Sequence, residues 1–144
     1  MKKQFAVAVA LLAAAIATVP CYAQWMSSRA DIPFAFQVGN KTMPAGRYLI
    51  ERVCDSTPNL QMIRRTDSSA VVTALTIGVD ANGRKSEPEL VFHKYGNSYF
   101  LAEIWTGGAQ GRQLLKSERE RELVKESAGR EVAVSLEPAL DRGL

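Results

Sequence analysis

Between Ile32 and Trp105 apolar and polar residues alternate with a period of two, the pattern of strands that bury one face. Ile32, Phe34, Phe36 and Val38 form the first apolar file, with Pro33 near its start, where a strand tolerates a missing N–H. Gly39 to Gly46 reads as a loop. The next predicted strand, Arg47 to Cys54, sets Tyr48 and Ile50 on one face and Leu49 and Val53 on the other. Asp55-Ser56-Thr57-Pro58-Asn59 carries turn chemistry, and Leu60 to Arg65 follows as a third strand. In the stretch Ala70 to Val79, Val71, Thr73, Leu75, Ile77 and Val79 share one face, while Val72 and Ala74 make the other apolar too. A strand apolar on both sides belongs in the middle of a sheet.

Asp80 to Pro88 is polar. Glu89 to Tyr95 and Ser98 to Trp105 then flank Gly96-Asn97, which fits a two-residue type II′ hairpin. That turn predicts the pairs Tyr95/Ser98, His93/Phe100, Phe92/Leu101 and Val91/Ala102. One face of the hairpin would hold Leu90, Phe92, Tyr99 and Leu101, and the other Val91, His93, Tyr95, Phe100 and Ile104. With both faces largely apolar, the hairpin must pack on each side or line a cavity. Gly107 to Gly111 reads as a flexible loop before the apolar step Leu114-Leu115. The period then changes: Ser117 with Glu120 forms a capping box for a helix near 118–128, with Gly129 as terminator. Leu123, Val124 and Ala128 are its only apolar stripe, so it belongs on the surface. Val132, Val134 and Leu136 alternate again before Pro138.

The amino terminus has a different character. Lys2 and Lys3 precede an uncharged run from Phe5 to Val19, and Cys21-Tyr22-Ala23 offers small residues at both cleavage positions, as a secretory signal peptide requires. The run is 15 residues long, shorter than the ~18 expected of a membrane span. Pro20 disfavours acylation of Cys21 as a lipoprotein. The expected organisation is a signal peptide over 1–23, a lead-in over 24–30, one β domain over 31–137 that includes the helix, and a tail over 138–144. Cleavage leaves 121 residues and lowers the formal charge from +3 to +1. That balance argues against nucleic acid as a partner, and no membrane-spanning segment is expected after processing. Cys54 then stands alone, so no intramolecular disulfide is expected, and a small buried thiol is the simplest reading of it.

The runs Ile32-Pro33-Phe34-Ala35-Phe36-Gln37-Val38-Gly39, Met43-Pro44-Ala45-Gly46-Arg47-Tyr48, Leu90-Val91-Phe92-His93-Lys94-Tyr95-Gly96 and Tyr99-Phe100-Leu101 resemble a family of small exported β-rich bacterial proteins without an established activity. The resemblance spans roughly Asp31 to Glu126 and rests on structural positions, so it implies a fold and transfers no catalytic residue. Gly46-Arg47-Tyr48 is also similar to the Gly-x-Tyr corner of exported β-sandwiches, where the tyrosine hydroxyl ties back to backbone.

Candidate chemistry is sparse. His93 is the single histidine, so a Ser-His-acid hydrolase or a multi-imidazole zinc site would have to use it. No Gly-x-Ser-x-Gly elbow or His-Glu-x-x-His motif accompanies it. Glu103, paired in this register with Leu90, would need a cation if buried, with Arg52, Arg64 or Arg65 as candidates. Asp80-Ala81-Asn82-Gly83 begins like a calcium loop, but Arg84 and Lys85 stand where further oxygens belong. No metal or other cofactor is expected. Trp25 and Trp105 are aromatic platform candidates; Trp105, Tyr99, Tyr95 and His93 are the candidate ligand or partner contacts.

The expected molecule is an all-β antiparallel sandwich or flattened barrel of about seven or eight strands with one C-terminal surface helix. Its expected role is that of a non-enzymatic exported binding or structural module of the periplasm or cell surface. The alternatives are a barrel carrying a small apolar ligand, a subunit that self-assembles through an edge such as Ile32 to Val38, and a hydrolase with an unrecognised site.

Overall fold

In the computed structural model, residues 27–54, 56–83, 87–108 and 110–139 are described. The expected signal segment 1–23, Cys21 and Trp25 lie outside them. Among the described residues the strands are β1 (Ser28–Ile32), β2 (Phe36–Val38), β3 (Lys41–Met43), β4 (Gly46–Arg52), β5 (Leu60–Arg65), β6 (Val71–Asp80), β7 (Glu89–Tyr95), β8 (Ser98–Trp105), β9 (Gln110–Leu114), β10 (Arg130–Ser135) and β11 (Glu137–Pro138), with one helix, α1 (Glu118–Glu126), before β10. The all-β reading holds. The count exceeds seven or eight because several strands are only two or three residues long.

The strands run in the order β10-β7-β8-β9-β6-β5-β4-β1-β11, and β2 joins the side of β8 through the parallel pair Gln37↔Phe100. Two segments turn this ribbon into facing layers. The first half of β6 pairs with β5 and its second half with β9, so one long strand serves both layers. The segment from β10 to β11 does likewise at the other end, leaving β7 at Leu136 to pair with β1. Strands that switch layers in this way form the corners of sandwiches. Between the layers lie Phe36, Tyr48, Ile50, Ile63, Leu90, Phe92, Leu101 and Ile104, all nearly solvent-free. Aromatic edges interlock there: Phe92 meets Phe34 at 5.0 Å and Phe36 at 5.4 Å, and Phe36 meets Tyr48 at 5.1 Å.

The expected strand Ile32 to Val38 is two strands. Pro33 cannot continue a ladder, and Phe34 turns out of line to stack on Tyr99, with ring centroids 3.8 Å apart. Neither piece is the open edge imagined for assembly, since β1 pairs with β4 and β11, and β2 pairs with β3 and β8. The loop Gly39 to Gly46 contains β3, reached through a turn at Gly39 with φ 59°. The lead-in and tail also contribute, through Ser28↔Pro138 and Arg29↔Glu137. The Gly107 to Gly111 stretch, expected as loop, runs into β9, because its backbone pairs with Val79 and Asp80 of β6.

The hairpin register holds from Tyr95↔Ser98 to Phe92↔Leu101 and then slips by one residue. Ala102 is the extra residue, so Val91 faces Glu103 and Leu90 faces Ile104. The bulge moves Ile104 from the outer face to the main core. Gly96 has φ 58°, as the first central residue of a type II′ turn requires.

Tyr48 closes the expected corner, its buried hydroxyl donating to the Pro44 carbonyl. Tyr48→Phe keeps the ring and loses this bond, so the urea midpoint should fall by the equivalent of about 0.5–1.5 kcal/mol, with an unchanged slope.

Candidate functional site

Alternation on β6 delivers the feature most relevant to binding. Its even positions, Val72, Ala74 and Thr76, point inward, and its bulky odd positions point out. Val71 is 39% exposed, Leu75 59% and Ile77 47%. The two apolar faces predicted a strand in the middle of the sheet; β6 is central, and its bulkier file faces solvent. Register extends the apolar surface sideways. Leu60 pairs with Leu75, Met62 with Thr73 and Arg64 with Val71, and on the next strand Glu51 pairs with Met62 and Leu49 with Arg64. Leu114 pairs with Thr76 at the end of the β6–β9 ladder, and the residue after it, Leu115, is also 59% exposed. Charges on this face are matched: Arg64 reaches Glu51 at 3.4 Å and Arg29 reaches Glu137 at 3.4 Å. The Lys41 ammonium donates to the Val71 carbonyl at 2.7 Å. The result is an aliphatic surface over β5, β6 and the end of β9. Contiguous exposed apolar patches of this kind mark interaction sites.

A second cluster lies on the outer side of the β7–β8 hairpin. Ser117 caps α1 by accepting from the Glu120 N–H at 3.2 Å. The Glu120 side chain does not complete a reciprocal capping box. It is the one buried residue of the helix and points at the sheet, where its Oε1 lies 3.2 Å from the Tyr95 hydroxyl and 3.2 Å from His93 Nδ1. The expected stripe of Leu123, Val124 and Ala128 does not anchor α1: Leu123 is half-buried, Val124 is 42% exposed and Ala128 is exposed. The helix ends at Ser127 in extended conformation, and Gly129 is not its terminator. Gly129 is where the Tyr95 ring passes, since a Cβ there would lie 2.7 Å from that ring.

In a Ser-His-acid relay the imidazole stands between acid and hydroxyl. Here the carboxylate occupies the middle, which suits it to holding α1 on the hairpin. Burial, then the nearby Glu120 charge, and the hydrogen bond to it push the Tyr95 phenol up to about 12. Below its ordinary pKa near 10 the phenol is protonated in both folded and unfolded chains, and its contribution to stability is complete. Folded molecules then hold the proton that unfolded ones release, so stability declines from about pH 10 and the contribution is gone above about 12. Tyr95→Phe should flatten this alkaline decline, as followed by far-ultraviolet circular dichroism.

The four candidate contacts do not form one site. His93 and Tyr95 lie under α1, with ring centroids 6.4 Å apart. Tyr99 is on the inner side, stacked on Phe34, with Lys94 Nζ 5.2 Å from its ring centre. Trp105 is 9% exposed in a small cluster with Ala81 and Val91. Its indole N–H donates to Glu103 Oε2 at 2.8 Å. That bond satisfies Glu103 Oε2: the bulge pairs Glu103 with Val91 instead of Leu90, while two of the candidate arginines go elsewhere, Arg64 to Glu51 and Arg65 to Asp67.

Two further features are polar. An open cleft of about 380 Å3 is lined by Asp31, Ile32, Pro33, Gly46, Arg47, Thr66 and Asp67, and its cations are matched by Arg47–Asp31 at 2.9 Å and Arg65–Asp67 at 2.7 Å. Cys54, read from sequence as a buried thiol, is half-buried, and hydrogen bonding with the Ser56 side chain, then that of Thr57, lowers its pKa. The segment Asp80 to Gly83 ends in a turn with Asn82 at φ 47° and Gly83 at φ 79°, while residues 84–86 lie outside the described residues. No helix among the described residues is long and apolar enough to cross a membrane.

Sequence reasoning missed Leu75, Ile77 and Leu115 as surface residues. One signal was available: the inward file of β6 carries small side chains, Ala74 and Thr76, where a tightly packed partner layer leaves little room. No protein-family model, curated protein or solved structure matches this chain.

Proposed function

We propose that this chain is a non-enzymatic exported binding module, which holds a protein partner on the aliphatic outer face of β5 and β6. The observation that carries this reading is the exposure of Val71, Leu75 and Ile77 along one file of a central strand, with Leu115 exposed just past the end of the neighbouring β9. An aliphatic file of this kind gains stability only when something covers it, at roughly 25 cal/mol per Å2 removed from water. The interior supports the same choice, since Phe36, Tyr48, Phe92 and Leu101 fill it with side chains. The ion pairs Arg64–Glu51 and Arg29–Glu137 suit a polar rim around an apolar centre. Export is part of the proposal and rests on Lys2, Lys3, the run Phe5 to Val19 and the small residues before Gln24.

A photo-reactive amino acid placed at Leu75 of the exported protein tests this in cells. Irradiation should give a discrete cross-linked species, and the same residue at Asn97, in the hairpin turn, should not. Equal products from both positions, or none from Leu75, would contradict the proposal.

A further inference from the structure

Among the described residues β3, β10 and β11 each pair with a single strand, and of these only β10, with six residues, is longer than three. Parity shows that its second side is open. The Leu136 N–H donates to the Pro88 carbonyl at 2.9 Å and the Ala139 N–H to the Ser27 carbonyl at 2.9 Å. Even positions therefore aim their backbone groups at β7, and odd positions aim theirs the other way. Strand β1 takes up that other side only at Arg29↔Glu137 and Ser28↔Pro138. Glu131 and Ala133, both exposed, are left with N–H and carbonyl groups that no strand among the described residues meets. An open ladder of this kind is a template for a further strand. Neither proline nor a bulge blunts it, since the β10–β7 register is unbroken from Arg130↔Lys94 to Ser135↔Glu89.

The inner side of the same margin specifies what the added strand carries. Val132 and Val134 pack against the core yet remain half-buried, because β10 has no neighbour beyond them. Arg130 pairs with Lys94 on that side, two cations next to one another, and neither forms an ion pair among the described residues. Like charges directly opposite each other on a ladder are destabilising. We propose that β10 accepts an antiparallel strand from a partner protein, with aliphatic side chains opposite Val132 and Val134 and an acidic one opposite Arg130. Glu131 and Ala133 supply the main-chain hydrogen bonds, the valines gain cover, and the acid offsets the Arg130–Lys94 repulsion. A second copy of this chain does not meet the requirement. An antiparallel β10–β10 pair that keeps the parity sets Arg130 against itself, Val132 or Val134, and never against an acid. The edge is separate from the aliphatic face of β5 and β6, so this inference stands whether or not that face takes a partner.

The test is a magnetic-resonance titration of the nitrogen-15-labelled exported protein with the end-blocked peptide Thr-Val-Thr-Val-Thr-Asp-Thr, and with the same peptide carrying Lys for Asp. The Asp peptide should shift the Glu131 and Ala133 amides saturably, slow their exchange with solvent, and leave the Leu75 and Ile77 amides in place. It should bind about twofold to fivefold more tightly than the Lys peptide, the size of a cross-strand charge pair. Arg130→Glu, a change at an exposed position, should reverse that preference. No response at Glu131 and Ala133, equal binding of the two peptides, shifts confined to the β5–β6 face, or a preference unchanged in Arg130→Glu would each overturn the proposal. So would protection of the same two amides when the protein is concentrated alone, which would assign the edge to a second copy.

Discussion

Phe92→Ala is expected to cost about 3–5 kcal/mol, a large part of the roughly 5–15 kcal/mol that holds a domain of this kind together. Phe92 is fully buried at the centre of β7, where its ring is met edge-on by Phe34 and Phe36. Truncation loses the transfer free energy of the ring and leaves a cavity that two rigid aromatic neighbours cannot fill by a small shift. Scanning calorimetry should show a melting temperature lower by on the order of 10–20 °C. Tyr99→Ala, half-buried and stacked on Phe34 alone, should cost less than half as much. Equal losses at the two positions would mean that the layers do not meet where the aromatic contacts place them.

Gly111→Ala is the second large effect, and it adds atoms where Phe92→Ala removes them. A Cβ at Gly111 would lie 2.6 Å from the Trp105 ring. The indole cannot swing aside freely, because its N–H donates to Glu103 and its faces are packed beside Ala81 and Val91. Overpacking of this kind costs about 1–3 kcal/mol. It should also displace Trp105, so the variant should show red-shifted tryptophan emission together with a lower denaturation midpoint. A stable variant with unchanged emission would mean that Trp105 does not lie across β9. Glycine in β9 is needed for this close approach of a ring to backbone.

Local chemistry made much of the fold legible. Gly96-Asn97 dictated its turn, Ser117 its cap, and Gly46-Arg47-Tyr48 its corner, because each is decided by residues a few positions apart. The bulge at Ala102 left a trace: Leu101 and Ile104 are three apart, and no strictly alternating file holds both, yet both belong to the main core. Strand β9 was hidden because its glycine serves a neighbour's indole and offers no side-chain period of its own. The anchoring role of Glu120 was unreadable for another reason. A glutamate three residues after a capping serine satisfies a local rule, and only the tertiary placement of His93 and Tyr95 draws its carboxylate away.

The candidate site was the least legible part. Periodicity identified both faces of β6 as apolar, but it ranks faces by side-chain hydrophobicity, and the greasier one is outside. What decides the matter is space: the partner layer brings Phe92, Leu101 and Leu114 into the main core and leaves room on β6 only for Ala74 and Thr76.

Thermal unfolding of Leu75→Lys/Ile77→Lys beside the parent protein tests most directly whether the aliphatic file of β6 is free surface and not core. Substitutions at exposed positions generally change stability by no more than about 0.5 kcal/mol each, so the two transitions should coincide within a few degrees. A collapse of the transition comparable to that of Phe92→Ala would show that Leu75 and Ile77 hold the fold together, and the binding face would not exist.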